Sequence, residues 1–335
     1  MDRIEHVKIS AFTILELLIV LFIFSIVIVM TYTSLTTYSR ISKAQEDSLM
    51  VSQNVRATLD LISNYIRMAG FGTKYSLSIQ GGNNVNGFTQ VFNAVDNSAE
   101  GADRLTVVFA SRLVGNIAKN NAGALQYSGN KIYINSTKIN LLDNNKKKYV
   151  FFERNPFNEF FELISSPTAS GTGRYLMNFP TGSNINAYFG DNVYAVRAIT
   201  IGYDSTNQQI ILNENTGSPT QPLASDIETI QFQYGIDENN DGILDDTDND
   251  GIGLDNTVPP SKEMYLKIVK VSILAKAPHS DYKYKDKHNS YTIANYIVVL
   301  DKNDNNGLES KYDWHFRRKL IQVYVSPRNY ENNLF

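Results

Sequence analysis

Apolar residues run almost without interruption near the start of the chain and then become periodic. Residues 12–30 read FTILELLIVLFIFSIVIVM, in which only Thr13, Glu16 and Ser25 are polar. A helix of this length spans the roughly 30 Å hydrocarbon core of a bilayer. No proline or glycine occurs before Gly70, so nothing in the sequence ends the helix at the membrane surface. The pattern therefore predicts a transmembrane helix over residues 12–30 that continues further along the chain.

The later part of this helix carries one apolar stripe. Apolar residues recur there at steps of three and four, the spacing of a single helix face: Val51, Val55, Leu59, Ile62, Ile66 and Ala69. Gly70 and Gly72 then form a stop signal. We expect one helix over residues 12–70, with its last turns packed against the remainder of the chain.

The remaining residues follow the patterns of strands and loops. Residues 73–103 are rich in Asn, Gly and Ser and are predicted to form an exposed loop, and residues 204–208 are predicted to form a hairpin turn. The expected fold is α+β, with the long N-terminal helix packed on an antiparallel β-sheet ectodomain over residues 71–335. β-branched and aromatic runs predict nine strands: Arg104–Ser111, Lys131–Ile134, Tyr149–Glu153, Val193–Tyr203, Gln208–Asn213, Thr229–Tyr234, Met264–Ala275, Thr292–Leu300 and Lys319–Val325.

Composition restricts how such an ectodomain is stabilised. The chain has 335 residues, so roughly 265 follow the helix, enough for one large domain or two small ones. It has no cysteine, which excludes disulfides and cysteine-ligated metal sites. The formal net charge of −3 excludes no class of partner. Stability must therefore come from the apolar core or from a bound metal ion.

Glu16 is the one charge inside the apolar run, and its position is informative. A short charged leader, MDRIEHVKISA over residues 1–11, precedes Phe12. Cleavage at the small-residue junction Ala11–Phe12 would keep the apolar helix and create a new amine on Phe12. A buried carboxylate needs a partner, and the Phe12 ammonium of a neighbouring subunit could supply it when such helices pack side by side. A single-pass anchor with an incidental Glu16 is the alternative.

This leader followed by FTxxE resembles the class III signal of type IV pilins and type II secretion pseudopilins. The resemblance implies cleavage between Ala11 and Phe12 by a prepilin peptidase, N-methylation of Phe12 and an assembly role for Glu16. It departs from the pattern at Ala11, since these families usually have Gly before the cleavage site.

A second distinctive stretch is DENNDGILDDTDNDG over residues 237–251. Its first twelve residues match a calcium loop, with a glycine at the tight turn and oxygen ligands at alternating positions. The candidate ligands are Asp237, Asn239, Asp241, the Ile243 carbonyl, Asp245 and Asp248. We expect one calcium ion that stabilises the loop. A solvated acidic turn is the alternative, and residues 246–257 begin a second, incomplete match.

Other motifs give weaker indications. Residues 301–307, DKNDNNG, resemble a calcium turn with the glycine one place late, and a plain turn is the simpler interpretation. Residues 282–287, YKYKDK, interleave aromatic residues with lysines as a strand-binding surface does. An exposed basic loop is the favoured interpretation, so no nucleic acid is firmly indicated. The sequence lacks a phosphate-binding loop, GxSxG and HExxH, and we expect no enzymatic activity.

Four patches resemble PilW-type minor pilins: RATLDLISNYIRMAGF over residues 56–71, GADRLTVVFAS over 101–111, IQFQYGIDENND over 230–241 and RRKLIQVYVSPRN over 317–329. The resemblance implies the type IV pilin fold. It also implies a minor pilin at or near the pilus tip, which helps to prime assembly at the bacterial inner membrane with other minor and major pilins. The protein would be a single-pass membrane protein first and part of an extracellular pilus later, with a tip adhesin as a further candidate partner.

Two other functions are compatible with the same residues. A J-type minor pseudopilin of a type II secretion system shares the FTxxE helix and the helix-to-sheet layout. A surface adhesin or DNA-capture module on a pilus could use the tyrosine-rich loops. The sequence does not distinguish whether the filament serves motility, adhesion, secretion or DNA uptake.

Overall fold

The computed structural model describes residues 13–72, 79–80, 84–97, 101–119, 126–142, 148–153, 160–183, 185–246, 253–300 and 312–329. One helix, α1, covers Ile14–Met68. The chain divides into two compact units between Met50 and Val51, within this helix. Two short 3-10 turns cover Ile139–Leu141 and Glu263–Tyr265. The strands are β1 Ile79–Gln80, β2 Phe92–Val95, β3 Arg104–Ile117, β4 Gln126–Ser128, β5 Lys131–Asn135, β6 Tyr149–Phe152, β7 Phe160–Glu162, β8 Thr168–Ala169, β9 Arg174–Asn178, β10 Asn186–Tyr188, β11 Asn192–Asp204, β12 Gln209–Asn213, β13 Gln221–Ala224, β14 Ile227–Ile236, β15 Leu266–Lys276, β16 Ser290–Ile293, β17 Tyr296–Val299 and β18 Arg318–Val325.

The second part of α1 packs as its sequence stripe predicts. All six apolar positions of the stripe are buried, from Val51 at 7% exposed to Ile62, Ile66 and Ala69 at 0%. The helix ends at Met68, where Gly70 adopts a left-handed φ of 76°. The side-chain amide of Asn329 donates hydrogen bonds to the Ala69 carbonyl (2.9 Å) and the Met68 carbonyl (3.3 Å). The end of the helix is therefore held by a residue from the last part of the chain.

Two sheets share a core with this stripe. The larger sheet has eleven strands, with β3 and β11 paired antiparallel along most of their length at its centre. The smaller sheet has the order β14-β15-β18, all antiparallel. Buried residues of α1, β3, β11, β14 and β15 belong to one continuous apolar cluster. The α+β prediction, with a helix on antiparallel sheet, is confirmed.

A buried ion pair joins the first and last strands of the smaller sheet. The Arg318 guanidinium donates two hydrogen bonds of 2.8 Å to the Glu228 carboxylate, and both side chains are fully buried. Asp286 lies 3.9 Å from the same guanidinium. Such a pair fixes the geometry of the strands it joins, because either charge alone would be buried without compensation.

Two of the predicted elements differ from the structure. The predicted loop over residues 73–103 contains strand β2, which pairs with β3. The predicted strand over residues 292–300 is part of a hairpin of β16 and β17, turned at Ala294 with a left-handed φ of 54°. Neither glycine nor proline marks that turn, and Asn295 is its one typical turn residue, so the sequence signal is weak. The hairpin predicted at residues 204–208 is confirmed by the antiparallel pairing of β11 with β12.

Candidate functional site

The first turn of α1 is closed by a reciprocal pair of side chains. Glu16 Oε2 accepts hydrogen bonds from the backbone N–H of Thr13 (2.9 Å) and from its hydroxyl (3.0 Å). Thr13 Oγ1 in turn accepts the backbone N–H of Glu16 at 3.3 Å. This is a capping box, in which residues three apart satisfy the free donors of a helix start. Ala11 and Phe12, the predicted cleavage site, lie outside the described residues.

The surface that follows this cap is apolar on all sides. Among the described residues, α1 is the one helix long and apolar enough to cross a membrane, and none of its most apolar 18-residue window is buried. Leu15, Phe22 and Met30 are each about two-thirds exposed. Exposing so large an apolar surface to water is unfavourable. Such a surface is suited to burial in lipid or against the helices of neighbouring subunits.

The acidic turn follows directly from β14. Its backbone returns to that strand twice, through bridges of Ile236 with Asp245 and of Tyr234 with Asp255. Left-handed φ angles at Asn240 (56°) and Gly242 (84°) make the bend. The sequence pattern predicted this bend at the glycine.

The candidate calcium ligands are brought together only in part. The Asp237 carboxylate is 4% exposed; its Oδ2 accepts the Gly242 N–H at 3.2 Å, whereas its buried Oδ1 has no hydrogen-bond partner. Asn239 donates to Asp241 at 3.0 Å, and Asp245 Oδ2 accepts the Glu238 N–H at 2.6 Å. Asp248 lies outside the described residues. In the part of the chain that the structure describes, no three Asp, Glu, His or Cys side chains gather as metal ligands.

The oxygen-bearing groups of this turn nevertheless are of the type that calcium binds. Calcium prefers carboxylate and carbonyl oxygens, which are the donors present. A buried carboxylate oxygen without a donor is costly, and a cation would compensate it. The Ile243 side chain is 70% exposed, so the residue is held in the turn by its backbone alone. Of the predicted ligands, those among the described residues are Asp237, Asn239, Asp241, Asp245 and the Ile243 carbonyl, and Asp237 is the buried one.

Two lysines face this turn, and the sequence pattern did not indicate them. Lys262 Nζ lies 2.7 Å from Glu238 Oε1, and Lys267 Nζ donates to Asn240 Oδ1 at 2.6 Å. The Glu238 carboxylate raises the pKa of Lys262 through their hydrogen bond, and the charges of Glu238, Asp255 and Asp245 act in the same direction. Both lysines follow the turn by more than ten residues: Lys262 lies just before the 3-10 turn Glu263–Tyr265, and Lys267 lies at the start of β15, which pairs with β14.

The other predicted stretches are less organised. The DKNDNNG turn lies outside the described residues. In the YKYKDK stretch, Tyr282 is 75% exposed, Lys285 Nζ lies 4.3 Å from the centre of the Trp314 ring, and Arg317 lies 4.2 Å from that of Tyr284. Cations stacked on aromatic rings are typical of exposed surfaces as well as of binding surfaces. The geometry supports both interpretations of this stretch.

A large part of the β-rich unit matches a known family. Residues 193–329, from the second residue of β11 to beyond β18, match the family model PilW, type IV pilus-assembly protein W. Over these residues the chain is similar to the PilW family. The matched range includes the acidic turn and the whole β14-β15-β18 sheet.

Comparison with curated proteins found no significant match. A solved type IV-like pilin from Thermus thermophilus is similar with a TM-score of 0.35 and 8% identity, and the alignment covers 83% of this chain and 96% of that one.

Proposed function

We propose that this chain is a minor pilin of a type IV pilus, which helps to prime pilus assembly at the inner membrane and lies at or near the tip. The observation that carries the proposal is the presence in one chain of a capped helix whose apolar first part is exposed and of a match to PilW over residues 193–329. The helix supplies a membrane anchor and a packing surface for other pilins. The β-rich unit supplies the part outside the membrane.

Processing and assembly involve the first residues of the helix. A prepilin peptidase cleaves between Ala11 and Phe12, Phe12 is N-methylated, and Glu16 binds the Phe12 ammonium of a neighbouring pilin. The proposal is supported by the position of Glu16 in the first helical turn, one turn from the new amine. Mass spectrometry of the mature protein should find a methylated Phe12 terminus, and an intact Met1 in filaments would contradict it.

The assembly role is tested by deletion and complementation in the native host. Deleting the gene should remove most surface pili, counted by electron microscopy. The wild-type gene should restore them and Glu16→Ala should not, although that variant still inserts into the membrane because it is more apolar. An immunogold label on the β-rich unit should mark filament ends. Normal piliation with lost protein secretion would instead indicate a J-type pseudopilin.

An adhesin or DNA-capture role is favoured by one observation, the exposed Tyr282 beside lysine and arginine side chains stacked on aromatic rings. This role is compatible with a position at the tip. It requires that Tyr282→Ala leave the number of pili unchanged and lower adhesion or DNA uptake. Loss of pili in that variant would indicate a structural role for the tyrosine.

We also propose that the acidic turn binds one calcium ion through Asp237, Asn239, Asp241, Asp245, Asp248 and the Ile243 carbonyl. The buried, unsatisfied Oδ1 of Asp237 supports it. A cation that binds only the folded state stabilises it by about 2.7 kcal/mol at a hundredfold excess over Kd.

The calcium proposal is tested by thermal unfolding of the full-length protein in detergent. The unfolding temperature should be higher in calcium than in chelator, and magnesium should substitute poorly because it requires a tighter octahedral shell. Asp241→Ala should remove most of the difference, whereas Asp60→Ala on the exposed surface of α1 should preserve it. An unfolding temperature that is unchanged at millimolar calcium would leave a solvated acidic turn as the explanation.

A further inference from the structure

A polar row crosses one face of the larger sheet. The strand registers place four residues side by side on neighbouring strands: Asn93 of β2 opposes Thr106 of β3, Thr106 opposes Thr200 of β11, and Thr200 opposes Asn213 of β12. Residues that oppose each other across paired strands project to the same face. All four line a single groove with a volume of about 330 Å³.

A second row, two residues further along each strand, completes the floor of this groove. Val95 opposes Arg104, and Gly202 opposes Ile211. Gly202 has no side chain, so it deepens the groove at this point. A Cβ there would lie 3.7 Å from both Cγ and Nε of Arg104. Val95 and Ile211 give the groove an apolar surface beside the polar row. The rings of Phe88 and Tyr203 add to this surface.

Several polar groups of the groove have unused hydrogen-bonding capacity. The Thr106 and Thr200 hydroxyls bond to each other at 2.7 Å. Asn93 donates its amide to the Gln90 carbonyl at 2.7 Å, and Asn213 accepts the Asn215 N–H at 2.8 Å. Within the described residues, Asn93 Oδ1, Asn213 Nδ2 and the exposed Arg104 guanidinium have no such partner. The groove therefore offers one acceptor, one amide donor and one cation.

We propose that this groove binds a saccharide that carries a single carboxylate. A sugar ring has an apolar C–H face and hydroxyls that both donate and accept, which matches an aromatic and aliphatic surface beside a row of amides. The Arg104 guanidinium binds the carboxylate, since its planar N–H donors form bidentate hydrogen bonds with that group. The volume suits a mono- or disaccharide.

An adjoining cavity limits the charge of the ligand. It has a volume of about 270 Å³, shares Val95, Arg104 and Tyr203 with the groove, and is also lined by Asp103. The Asp103 carboxylate accepts the backbone N–H groups of Phe232 (2.8 Å) and Asn97 (3.3 Å), so it is fixed in place. A second anionic group on this side would meet that carboxylate. The site therefore favours a ligand with one carboxylate, bound at Arg104, over a polyanion such as a nucleic acid.

The test is calorimetric titration of the full-length protein in a zwitterionic detergent, which avoids sugar-containing detergent heads. The probes are N-acetylneuraminic acid, glucuronic acid and cellobiouronic acid, each with one carboxylate, and lactose is the neutral comparison. At least one acidic probe should bind more tightly than lactose. Arg104→Gln should weaken it about 10- to 100-fold, as expected for loss of a charged hydrogen bond, while lactose binding stays unchanged.

Two further variants make the result specific. Arg112→Gln changes another exposed arginine of β3, outside the groove, and should leave every affinity unchanged. Gly202→Val adds a side chain to the floor and should abolish binding of all probes. Unfolding curves recorded for each variant show that the fold is kept. Absence of binding by every acidic probe at millimolar concentration, or equal losses in Arg104→Gln and Arg112→Gln, would overturn the proposal.

Discussion

Asp103 provides a sharp test of how burial shapes the stability of this protein. Its side chain is 3% exposed, and desolvation by burial raises its pKa from 3.8 to about 6, although the N–H groups of Phe232 and Asn97 act in the opposite direction. The folded state therefore holds a proton on Asp103 between these two pKa values where the unfolded state does not. Stability contributed by this proton is present at low pH and is lost as the pH rises toward 6 and above.

The magnitude follows from the size of the shift. One pKa unit corresponds to about 1.4 kcal/mol, so the rise from 3.8 to about 6 corresponds to roughly 3 kcal/mol over the whole titration. About 2 kcal/mol of this difference is expected between pH 4.5 and pH 7. Asp103→Asn removes the titration, so the stability of the wild type relative to this variant should fall by that amount across the interval.

The measurement is chemical denaturation of both full-length proteins in detergent at several pH values. Comparing the two proteins cancels the titration of all other groups. Asp204→Asn is a suitable control, because hydrogen bonds from Asn207 lower the pKa of Asp204. Its titration therefore lies below this interval, and the wild type and Asp204→Asn should stay parallel between pH 4.5 and pH 7. If wild type and Asp103→Asn remain parallel between pH 4.5 and pH 7, burial does not control this carboxylate.

Three further substitutions test other parts of the fold by denaturation or hydrogen exchange. Arg318→Met leaves Glu228 buried without its partner and should cost about 3–5 kcal/mol of stability; replacing both residues by uncharged ones should cost less. Ile66→Ala should cost about 2–5 kcal/mol, whereas Ile41→Ala, at a position 49% exposed, should cost less than 1 kcal/mol. Asn329→Ala removes two hydrogen bonds to the end of α1 and should accelerate amide exchange there about fivefold or more; unchanged exchange would contradict the role of Asn329 in holding the helix end.

The sequence predicted the helix well because two strong periodic signals coincide there. A continuous apolar run and then a stripe at steps of three and four leave one interpretation, and every residue of the stripe from Val51 to Ala69 is buried. Of the long central strands, β11 was predicted almost in full and β3 over residues 104–111, since both carry long apolar runs; β3 continues to Ile117. These are features that depend only on neighbours in the sequence.

Features that depend on distant residues were not predicted. The groove floor exists because four strands pair in one register, which places Asn93 beside Thr106 and Thr200 beside Asn213. The register of β11 with β12 follows from the predicted hairpin at residues 204–208, but no local pattern places β2 and β3 beside β11. The turn at Ala294 is a similar case, because its left-handed conformation is imposed on a residue that rarely adopts it. The calcium pattern gave the candidate ligands, but only the structure identifies Asp237 as the buried one.

The hydrogen bonds between Glu16 and Thr13 are compatible with the contact that we propose between Glu16 and a neighbouring subunit. The FTxxE pattern led us to expect a partner for this carboxylate in a neighbouring subunit, whereas within a single chain Thr13 already engages it. Both hydrogen bonds from Thr13 converge on Oε2, and among the described residues Oε1 has no partner. A carboxylate has acceptor sites on both oxygens. The cap can therefore stabilise the helix start in an isolated subunit, and an incoming ammonium can bind Oε1 without displacing Thr13.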